Sequence, residues 1–376
     1  MSLFIGLMSG TSLDGIDAAL VDITSEAPPR LLATHGEPIP PQLRDLLWRL
    51  CHAERIDFAE LARAEADFSR LQARAVEALL EARDIPATEI SAIGSHGQTV
   101  EHAPAGHDGG PAYTLQLDNP SLLAELTGCC VVADFRRRDL AAGGQAAPLA
   151  PAFHQALFRV PDEWRVILNL GGFANLTLLP PETSPHAPLG FDTGPANALL
   201  DAWHARHRGG PFDANGAWAA SGCVDVALLE RFLEEAFFHQ PPPRSTGREL
   251  FNLDWLEARL SGNERPQDVQ ATLAELTAIS IAMGIEMARE RLEAPAVGRL
   301  IPCGGGAHNP DLLSRLARRL PDTPLEDSAN LGWPADWLEA GAFAWLAWRR
   351  LERLPGNLPS VTGAAGPRIL GGIYAP

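Results

Sequence analysis

The sequence predicts an α/β protein of two related domains, each built on a mixed sheet with helices on its faces. The chain has 376 residues, which is more than one ordinary hydrophobic core organises. Apolar strand segments alternate with segments of helical periodicity, as in sheets covered by helices. A strand, a glycine-rich turn and a second strand occur twice, as FIGLMSGTSLDGIDAALVDI and as VILNLGGFANLTLL. Two such hairpins in related domains predict an interdomain cleft, where ligands prefer to bind.

The first domain is predicted to cover residues 1–135, with the C-terminal residues 360–376 added to it. A helix is predicted over Glu60–Ala82, because apolar residues recur there at helical spacing. Its strands are short apolar runs bounded by turn residues, at Leu3–Leu7, Ile16–Ile23, Ile90–Gly94, Tyr113–Leu117 and Cys129–Ala133.

The second domain is predicted over residues 136–359. The segment Gly190–Trp203, rich in glycine at its start, is interpreted as a loop that leads into a helix. The other predicted elements are strands at Arg165–Leu170, Asn175–Leu179 and Arg299–Cys303 and helices at Leu228–Phe238, Ala271–Leu292 and Asp336–Leu354.

Charge and residue usage exclude several classes of function. The formal net charge is -17, which argues against a general nucleic-acid binder, because such proteins need basic surfaces. All 30 basic residues are arginine, so the lysine of a P-loop and a Schiff-base lysine are both ruled out. A bound phosphate must therefore be held by backbone N–H groups, hydroxyls, arginines and a metal ion.

Cysteine spacing and hydropathy predict a soluble, cytoplasmic protein without a membrane partner. The five cysteines form no CxxC pair and are expected to be reduced. The N-terminus lacks the basic start and apolar run of a signal peptide. No stretch is expected to approach the roughly 20 apolar residues that span a bilayer.

The first hairpin, Gly10–Asp17, is a candidate anion site. Its glycines allow backbone N–H groups to converge on an anion, its hydroxyls add donors, and Asp14 could hold a metal ion through water. An ordinary hairpin turn has the same composition, and that alternative stays open. The second hairpin, Asn169–Asn175, could support the same phosphate chain from the other side. The run Gly304–Gly306 after a strand suits the close approach of a nucleotide.

Two carboxylates are candidates for catalysis. Asp192 lies in the glycine-flanked segment GFDTGPAN, where it could take a proton from a water or hydroxyl nucleophile, or simply cap the helix that follows. Glu339 lies among apolar residues of a predicted helix, which is unusual for a glutamate unless it is paired or functional.

Three further polar residues are candidates for substrate binding. His96 and Gln98 follow a strand in SHGQT and could meet a polar ligand at the sheet edge, although a structural histidine is an equal alternative. Arg136 belongs to the run DFRRRD, in which one arginine could bind a carboxylate and the others are expected to be solvated.

Over essentially its whole length the chain resembles the anhydro-N-acetylmuramic acid kinases, which belong to the actin, Hsp70 and sugar-kinase superfamily. Many ordered blocks carry the resemblance, namely GLMSGTSLDGIDAALVD, IGSHGQTV, DFRRRDLAAGGQ, LNLGGFANLT, FDTGPAN, STGRELFN, CGGGAHNPDLLSRL and GNLPSVTGA. It implies two duplicated ribonuclease-H-like (actin-like ATPase) domains. It also implies a homodimer that acts on amino sugars in peptidoglycan recycling.

The activity that the resemblance implies uses ATP and Mg2+ on 1,6-anhydro-N-acetylmuramic acid. Water opens the anhydro ring at C1 while O6 takes the γ-phosphate, which gives N-acetylmuramic acid 6-phosphate and ADP. Asp192 matches the family's general base, and Glu339 matches a glutamate that contacts the sugar. Arg136 is predicted to bind the lactyl carboxylate. The residues assigned to ATP are Gly10, Thr11, Ser12, Leu13, Asp14, Gly15, Ile16, Asp17, Asn169, Gly171, Gly172, Gly304, Gly305 and Gly306.

The chain departs from the family at a few positions. Ala196 stands where a glycine is usual, which could shift the segment that aims Asp192, and Arg244 replaces a frequent lysine. Two alternative functions remain open on the sequence: another sugar kinase or phosphatase on the same scaffold, and a non-enzymatic actin-like or chaperone-like module driven by ATP.

Overall fold

The computed structural model of the chain describes residues 2–10, 12–107, 109–242 and 244–376. It divides into two compact units. Unit 1 contains residues 1–157 and 337–376, and unit 2 contains residues 158–336. Each unit has its own sheet and its own set of helices.

Unit 1 is an α/β unit. Its strands are β1 (Leu3–Met8), β2 (Gly15–Asp22), β3 (Arg30–Pro38), β4 (Ile90–Ser95), β5 (Gln98–Ala103), β6 (Tyr113–Leu117), β7 (Val131–Ala133) and, near the C-terminus, β12 (Gly372–Tyr374). Its helices are α1 (Pro41–Cys51), α2 (Phe58–Glu81), α3 (Pro120–Thr127), α4 (Arg137–Leu140), α5 (Ala150–Phe158, which ends at the boundary), α12 (Leu338–Leu351) and α13 (Pro359–Thr362).

The main sheet of unit 1 is mixed. Its order is β12-β7-β4-β1-β2-β3, with β1 antiparallel to β2 and parallel to β4. Helix α12 packs on this sheet through two glycines. A Cβ on Gly6 would lie 1.8 Å from the carbonyl oxygen of Ala340, and one on Gly94 would lie 2.0 Å from that of Phe343. Only glycine allows the helix backbone to come this close to the strands.

Unit 2 repeats this topology with fewer strands. Its strands are β8 (Arg165–Leu170), β9 (Phe173–Leu179), β10 (Leu189–Pro195) and β11 (Arg299–Cys303), in the order β10-β9-β8-β11. Its helices are α6 (Asn197–Arg208), α7 (Ala217–Ser221), α8 (Val226–Leu233), α9 (Leu253–Glu257), α10 (Pro266–Arg291) and α11 (Pro310–Arg319).

The strand order confirms the internal repeat that the two hairpins predicted. In each unit an antiparallel hairpin is extended by a third antiparallel strand on one side and by a parallel strand on the other. The order β3-β2-β1-β4 of unit 1 therefore corresponds to β10-β9-β8-β11 of unit 2. The chain is thus an α/β protein with two duplicated, ribonuclease-H-like units.

The unit boundaries differ from those expected from the sequence. Residues 136–157 and 337–359, which were expected in the second domain, lie in unit 1. One physical cause is Asp139, which is fully buried and accepts hydrogen bonds from Asn357 Nδ2 (2.6 Å) and Thr362 Oγ1 (2.8 Å). The other is the packing of α12 on β1 and β4. Both are contacts between distant parts of the chain, which local pattern does not show.

Two other expectations need correction. The segment after Gly190 is a strand, β10, and not a loop, because it pairs with β9 through an antiparallel ladder interrupted by a bulge between Asp192 and Gly194. Helix α10 is long and apolar enough to cross a membrane, contrary to the expectation that no segment would be. However, 72% of its most apolar window is buried inside the structure, and the core helix of a soluble protein passes the same test.

Candidate active-site residues

The first hairpin presents its polar residues at an exposed tip. Leu13 is buried and adopts a left-handed conformation with φ 58°, while its N–H donates to the carbonyl of Gly10. This buried anchor leaves the side chains of Ser12 and Asp14 exposed on either side of it. Thr11, which was assigned to ATP, lies outside the described residues. The tip therefore offers partly exposed glycine backbone and an exposed hydroxyl, as an anion site uses, beside an exposed carboxylate that could hold a metal ion.

Polar residues of unit 1 that were predicted to bind substrate lie close to this hairpin. Gln98 is buried, and its Oε1 accepts a hydrogen bond of 2.7 Å from Ser9 Oγ at the base of the turn. Arg136 donates from Nε and Nη2 to Nε2 of His96, at 3.1 and 2.8 Å, and from Nη1 to the carbonyl of Ala146. The structure therefore brings His96, Gln98 and Arg136 into one part of unit 1.

Burial keeps His96 neutral. Desolvation, with the charge of Arg136 as a second cause, holds the pKa of His96 well below its ordinary value. Because Nε2 accepts from Arg136, the ring proton belongs on Nδ1. Burial also lowers the pKa of Arg136 to about 10, so its guanidinium stays charged at neutral pH. Arg137 and Arg138 are exposed, as expected for solvated members of the run.

Glu339 lies in the first turn of α12, where the helix dipole favours a carboxylate. Its side chain is accessible to solvent, but the surrounding protein raises the pKa of the carboxyl group, and the positive charge of Arg136 opposes that rise. The electrostatic coupling adds Glu339 to the group formed by His96, Gln98 and Arg136.

Asp192 lies on β10, and the hydrogen bonds that hold its carboxylate reach one of its two oxygens. Its Oδ2 accepts hydrogen bonds from the backbone N–H of Thr246 (2.9 Å) and from Oγ of Ser245 (3.0 Å). Among the described residues these bonds reach Oδ2 alone, so Oδ1 is left to accept a further proton. Burial raises the pKa of the carboxyl group, and the charge of Glu249 adds to the rise. The bonds from Thr246 and Ser245 and the charge of Arg244 oppose it. Asp192 does not cap α6, whose N-cap is Ala196.

Arg244 anchors the loop that holds Asp192. Its Nη1 donates to the carbonyls of Phe237, Phe238 and Gln240, and its Nε donates to the carbonyl of Asp192 at 3.1 Å. Its guanidinium also lies 4.7 Å from the ring centroid of Phe237. Arg244, Ser245 and Thr246 are not among the site residues that the sequence predicts. The signal was present in PPPRSTG, where two hydroxyls and a glycine follow a rigid proline run.

The glycine-rich segments of unit 2 pack together. The carbonyls of Gly171 and Gly172 accept hydrogen bonds from the backbone of Asn197 and Ala196, at 3.1 and 3.0 Å. A Cβ on Gly304, which has φ 74°, would lie 2.3 Å from Oδ1 of Asn169. The residues assigned to ATP in unit 2 therefore form one cluster, with Gly305 open above it. Ala196, which stands where the family usually has glycine, lies in this cluster as the N-cap of α6, with φ -127° and ψ -110°.

The carboxylates of the described residues could hold magnesium only together with a nucleotide, whose phosphates would supply further ligands. In the described part of the chain no group of three or more His, Cys, Asp or Glu residues could hold a metal ion. Magnesium usually keeps several waters and binds through substrate phosphates and one or two carboxylates. The exposed carboxylate of Asp14 at the hairpin tip supplies one such group.

Comparison with known proteins gives matches over the full length of the chain. The family model described as anhydro-N-acetylmuramic acid kinase matches residues 2–376. A protein of that name from Chromohalobacter salexigens is 62% identical over 375 residues and is covered to 100%, as is this chain. Proteins of the same name from Bordetella petrii and Cupriavidus metallidurans are 52% and 49% identical, with 99% of this chain and 96% and 97% of theirs covered.

Proposed function

Since the chain belongs to the anhydro-N-acetylmuramic acid kinase family, we propose that it transfers the γ-phosphate of ATP to the O6 oxygen of 1,6-anhydro-N-acetylmuramic acid. The products are N-acetylmuramic acid 6-phosphate and ADP. The observation that carries the proposal is the 62% identity to one family member over a match that covers 100% of both chains. Among the described residues, the geometry that best fits this chemistry is the carboxylate of Asp192 with one oxygen free.

Asp192 is proposed as the general base of ring opening. Its Oδ1 takes a proton from a water molecule, the water oxygen bonds to C1, and the C1–O6 bond breaks. O6 bonds to the γ-phosphorus, and the bond from that phosphorus to the bridging oxygen of ADP breaks. A raised pKa suits this role, because a base near the working pH is the most effective proton acceptor.

Backbone groups are proposed to hold the phosphates of ATP, since the chain contains no lysine. In unit 1 the candidates are Gly10, Ser12 and Gly15 of the exposed hairpin tip. In unit 2 they belong to the cluster of Asn169, Gly171, Gly172 and Gly304–Gly306. Asp14 is proposed to hold Mg2+, directly or through water. When bound, the ion would neutralise charge on the transferred phosphoryl group.

Residues of unit 1 are proposed to bind the sugar. Arg136 keeps N–H groups beyond those bonded to His96 and Ala146, and these can donate to the lactyl carboxylate. Glu339 is proposed to accept a hydrogen bond from a sugar hydroxyl near the reacting ring. Neutral His96 orients Arg136, and Gln98 fixes the base of the hairpin.

Isotope labelling tests the proposed reaction. In oxygen-18 water, mass spectrometry of N-acetylmuramic acid 6-phosphate should find one labelled oxygen at C1 and none in the phosphate. Unlabelled product kept in the same water for the same time measures exchange at C1. Phosphorylated product without label at C1, beyond that control, would show that water does not open the ring.

Substitution of the base gives an independent test. Asp192→Asn should lower turnover by about 100-fold or more, because general base catalysis contributes at least this much, while ATP still binds. Asp162→Asn, at an exposed aspartate of the same unit, is the matched control and should keep wild-type turnover. Near-normal turnover of Asp192→Asn would remove Asp192 as the base.

The alternative functions are less well supported. Another sugar kinase and a non-enzymatic ATP-driven module both leave the full-length match to this one family unexplained. A cytoplasmic location remains a prediction from cysteine spacing and hydropathy, and a homodimer remains a prediction from the resemblance. Cell fractionation and sedimentation of the purified protein test them.

A further inference from the structure

We propose that the loop Arg244–Glu249 is a positioning element of the reaction, which turns Oδ1 of Asp192 towards the water and sets the local charge at its carboxylate. The proposal rests on the proposed function, because it takes Asp192 as the general base. It assigns roles to Ser245, Arg244 and Glu249, none of which would touch the reacting atoms.

The hydrogen bonds to Asp192 are one-sided. Thr246 N–H and Ser245 Oγ both donate to Oδ2, at 2.9 and 3.0 Å. Two donors on one oxygen fix the rotation of the carboxylate and occupy the oxygen that they reach. Proton transfer is consequently directed to Oδ1. In a carboxylate that rotates freely, either oxygen can face the water, and fewer of the approaches have the geometry that proton transfer needs.

Arg244 holds the backbone that carries these donors. It is almost completely buried, and four backbone carbonyls accept from its Nε and Nη1. Its own carbonyl accepts from the N–H of Asp192 at 3.0 Å. Arg244 and the backbone of Asp192 on strand β10 thus each donate a hydrogen bond to the other, immediately beside the catalytic carboxylate. This makes Ser245 and Thr246 rigid donors and not members of a mobile loop.

Two charges act on Asp192 from this loop, with opposite signs. Arg244 favours the carboxylate form, and Glu249 disfavours it. The Glu249 side chain folds back over the loop, so that a Cβ on Gly247 would lie 2.4 Å from its Oε2. Ser245 and Glu249 are exposed, which allows each to be changed without disturbing a core.

Substitutions at Ser245 and at Glu249 should shift the pKa of Asp192 in opposite directions. Loss of the Ser245 hydroxyl removes a hydrogen bond to the ionised form, so the pKa of Asp192 should rise. Loss of the Glu249 charge removes repulsion of the ionised form, so that pKa should fall. A residue with a merely structural role would lower activity at every pH and leave the titration in place.

The test is the pH dependence of kcat/KM for the anhydro-sugar at saturating ATP, which reports the enzyme–ATP complex before the sugar binds. Ser245→Ala should move the acid limb to higher pH by about one unit, the size expected for one hydrogen bond to a charged group. Glu249→Gln should move it to lower pH by a few tenths of a unit. Ser245→Thr keeps the hydroxyl and should restore the wild-type limb.

The outcomes separate this proposal from the proposed function. If Asp192→Asn is inactive and neither Ser245→Ala nor Glu249→Gln moves the acid limb, the positioning role is wrong and the base assignment stands. Shifts of both variants in the same direction would also overturn the positioning role. If Asp192→Asn keeps normal turnover, the base assignment fails first. Thermal unfolding of each variant, expected to match the wild type, shows that the fold is intact.

Discussion

Gly6 and α12 offer a stringent test of the packing in unit 1. A Cβ at Gly6 would lie 1.8 Å from the carbonyl oxygen of Ala340 and 2.5 Å from the backbone nitrogen of Ala344. Ordinary contacts need about 3.4 Å, so in Gly6→Ala the helix or the strand must withdraw by about 1.5 Å. The obstructing atoms belong to a helix backbone, which cannot rotate away as a side chain does. The penalty should therefore reach the upper end of overpacking costs, about 3 kcal/mol.

Urea unfolding followed by far-UV circular dichroism measures this penalty. With a slope of about 1 to 3 kcal/mol per molar urea, the midpoint for unit 1 should fall by about 1 to 3 M. Activity should fall as well, because displacement of α12 moves Glu339 in its first turn. Gly36→Ala is the matched control in the same sheet. Its Cβ would meet only side-chain atoms at 3.8 Å or more, so its stability should change by less than about 0.5 kcal/mol.

A result for Gly6→Ala within about 0.5 kcal/mol of wild type would refute the reasoning. It would mean that α12 does not lie against β1 as closely as the structure shows. An equal loss in Gly36→Ala would instead point to a general cost of alanine in this sheet.

Two further predictions concern buried polar groups. Asp139→Ala should destabilise unit 1 by roughly 3 kcal/mol or more in urea unfolding, because it strands the Ala146 N–H, Asn357 and Thr362 as buried donors, whereas Asp162→Asn should have no effect. Burial lowers the pKa of His154 in the folded protein to about 4. The unfolded chain therefore takes up a proton at higher pH than the folded chain, and the free energy of unfolding should fall as the pH falls from about 6.5 towards 4. In the wild type this loss should approach about 3 kcal/mol, and in His154→Gln it should be smaller. If the free energy of unfolding has the same slope against pH in His154→Gln as in the wild type, this account is wrong.

Local sequence was sufficient for most of the elements. The hairpins β1–β2 and β8–β9, the helix α2 and the strand β11 were all predicted close to their observed limits. Helix α2 has a strong apolar period, and each of these strands is a largely apolar segment next to a glycine, so local preference and tertiary role agree. Strand β10 was missed because Gly190, Asp192 and Pro195 are poor strand formers. Its ladder with β9 overrides their preference.

The candidate site depended more strongly on tertiary structure. The sequence by itself made Asp192 and the two glycine hairpins candidates and excluded lysine from any phosphate site, because residue type alone limits the chemistry. Only the fold brought Arg136 to His96, 40 residues away along the chain, and Ser245 to Asp192, 53 residues away. The fold also places α12, and with it Glu339, in unit 1, whereas the sequence predicted them in the second domain. Such contacts depend on strand order and loop path, which no local pattern encodes.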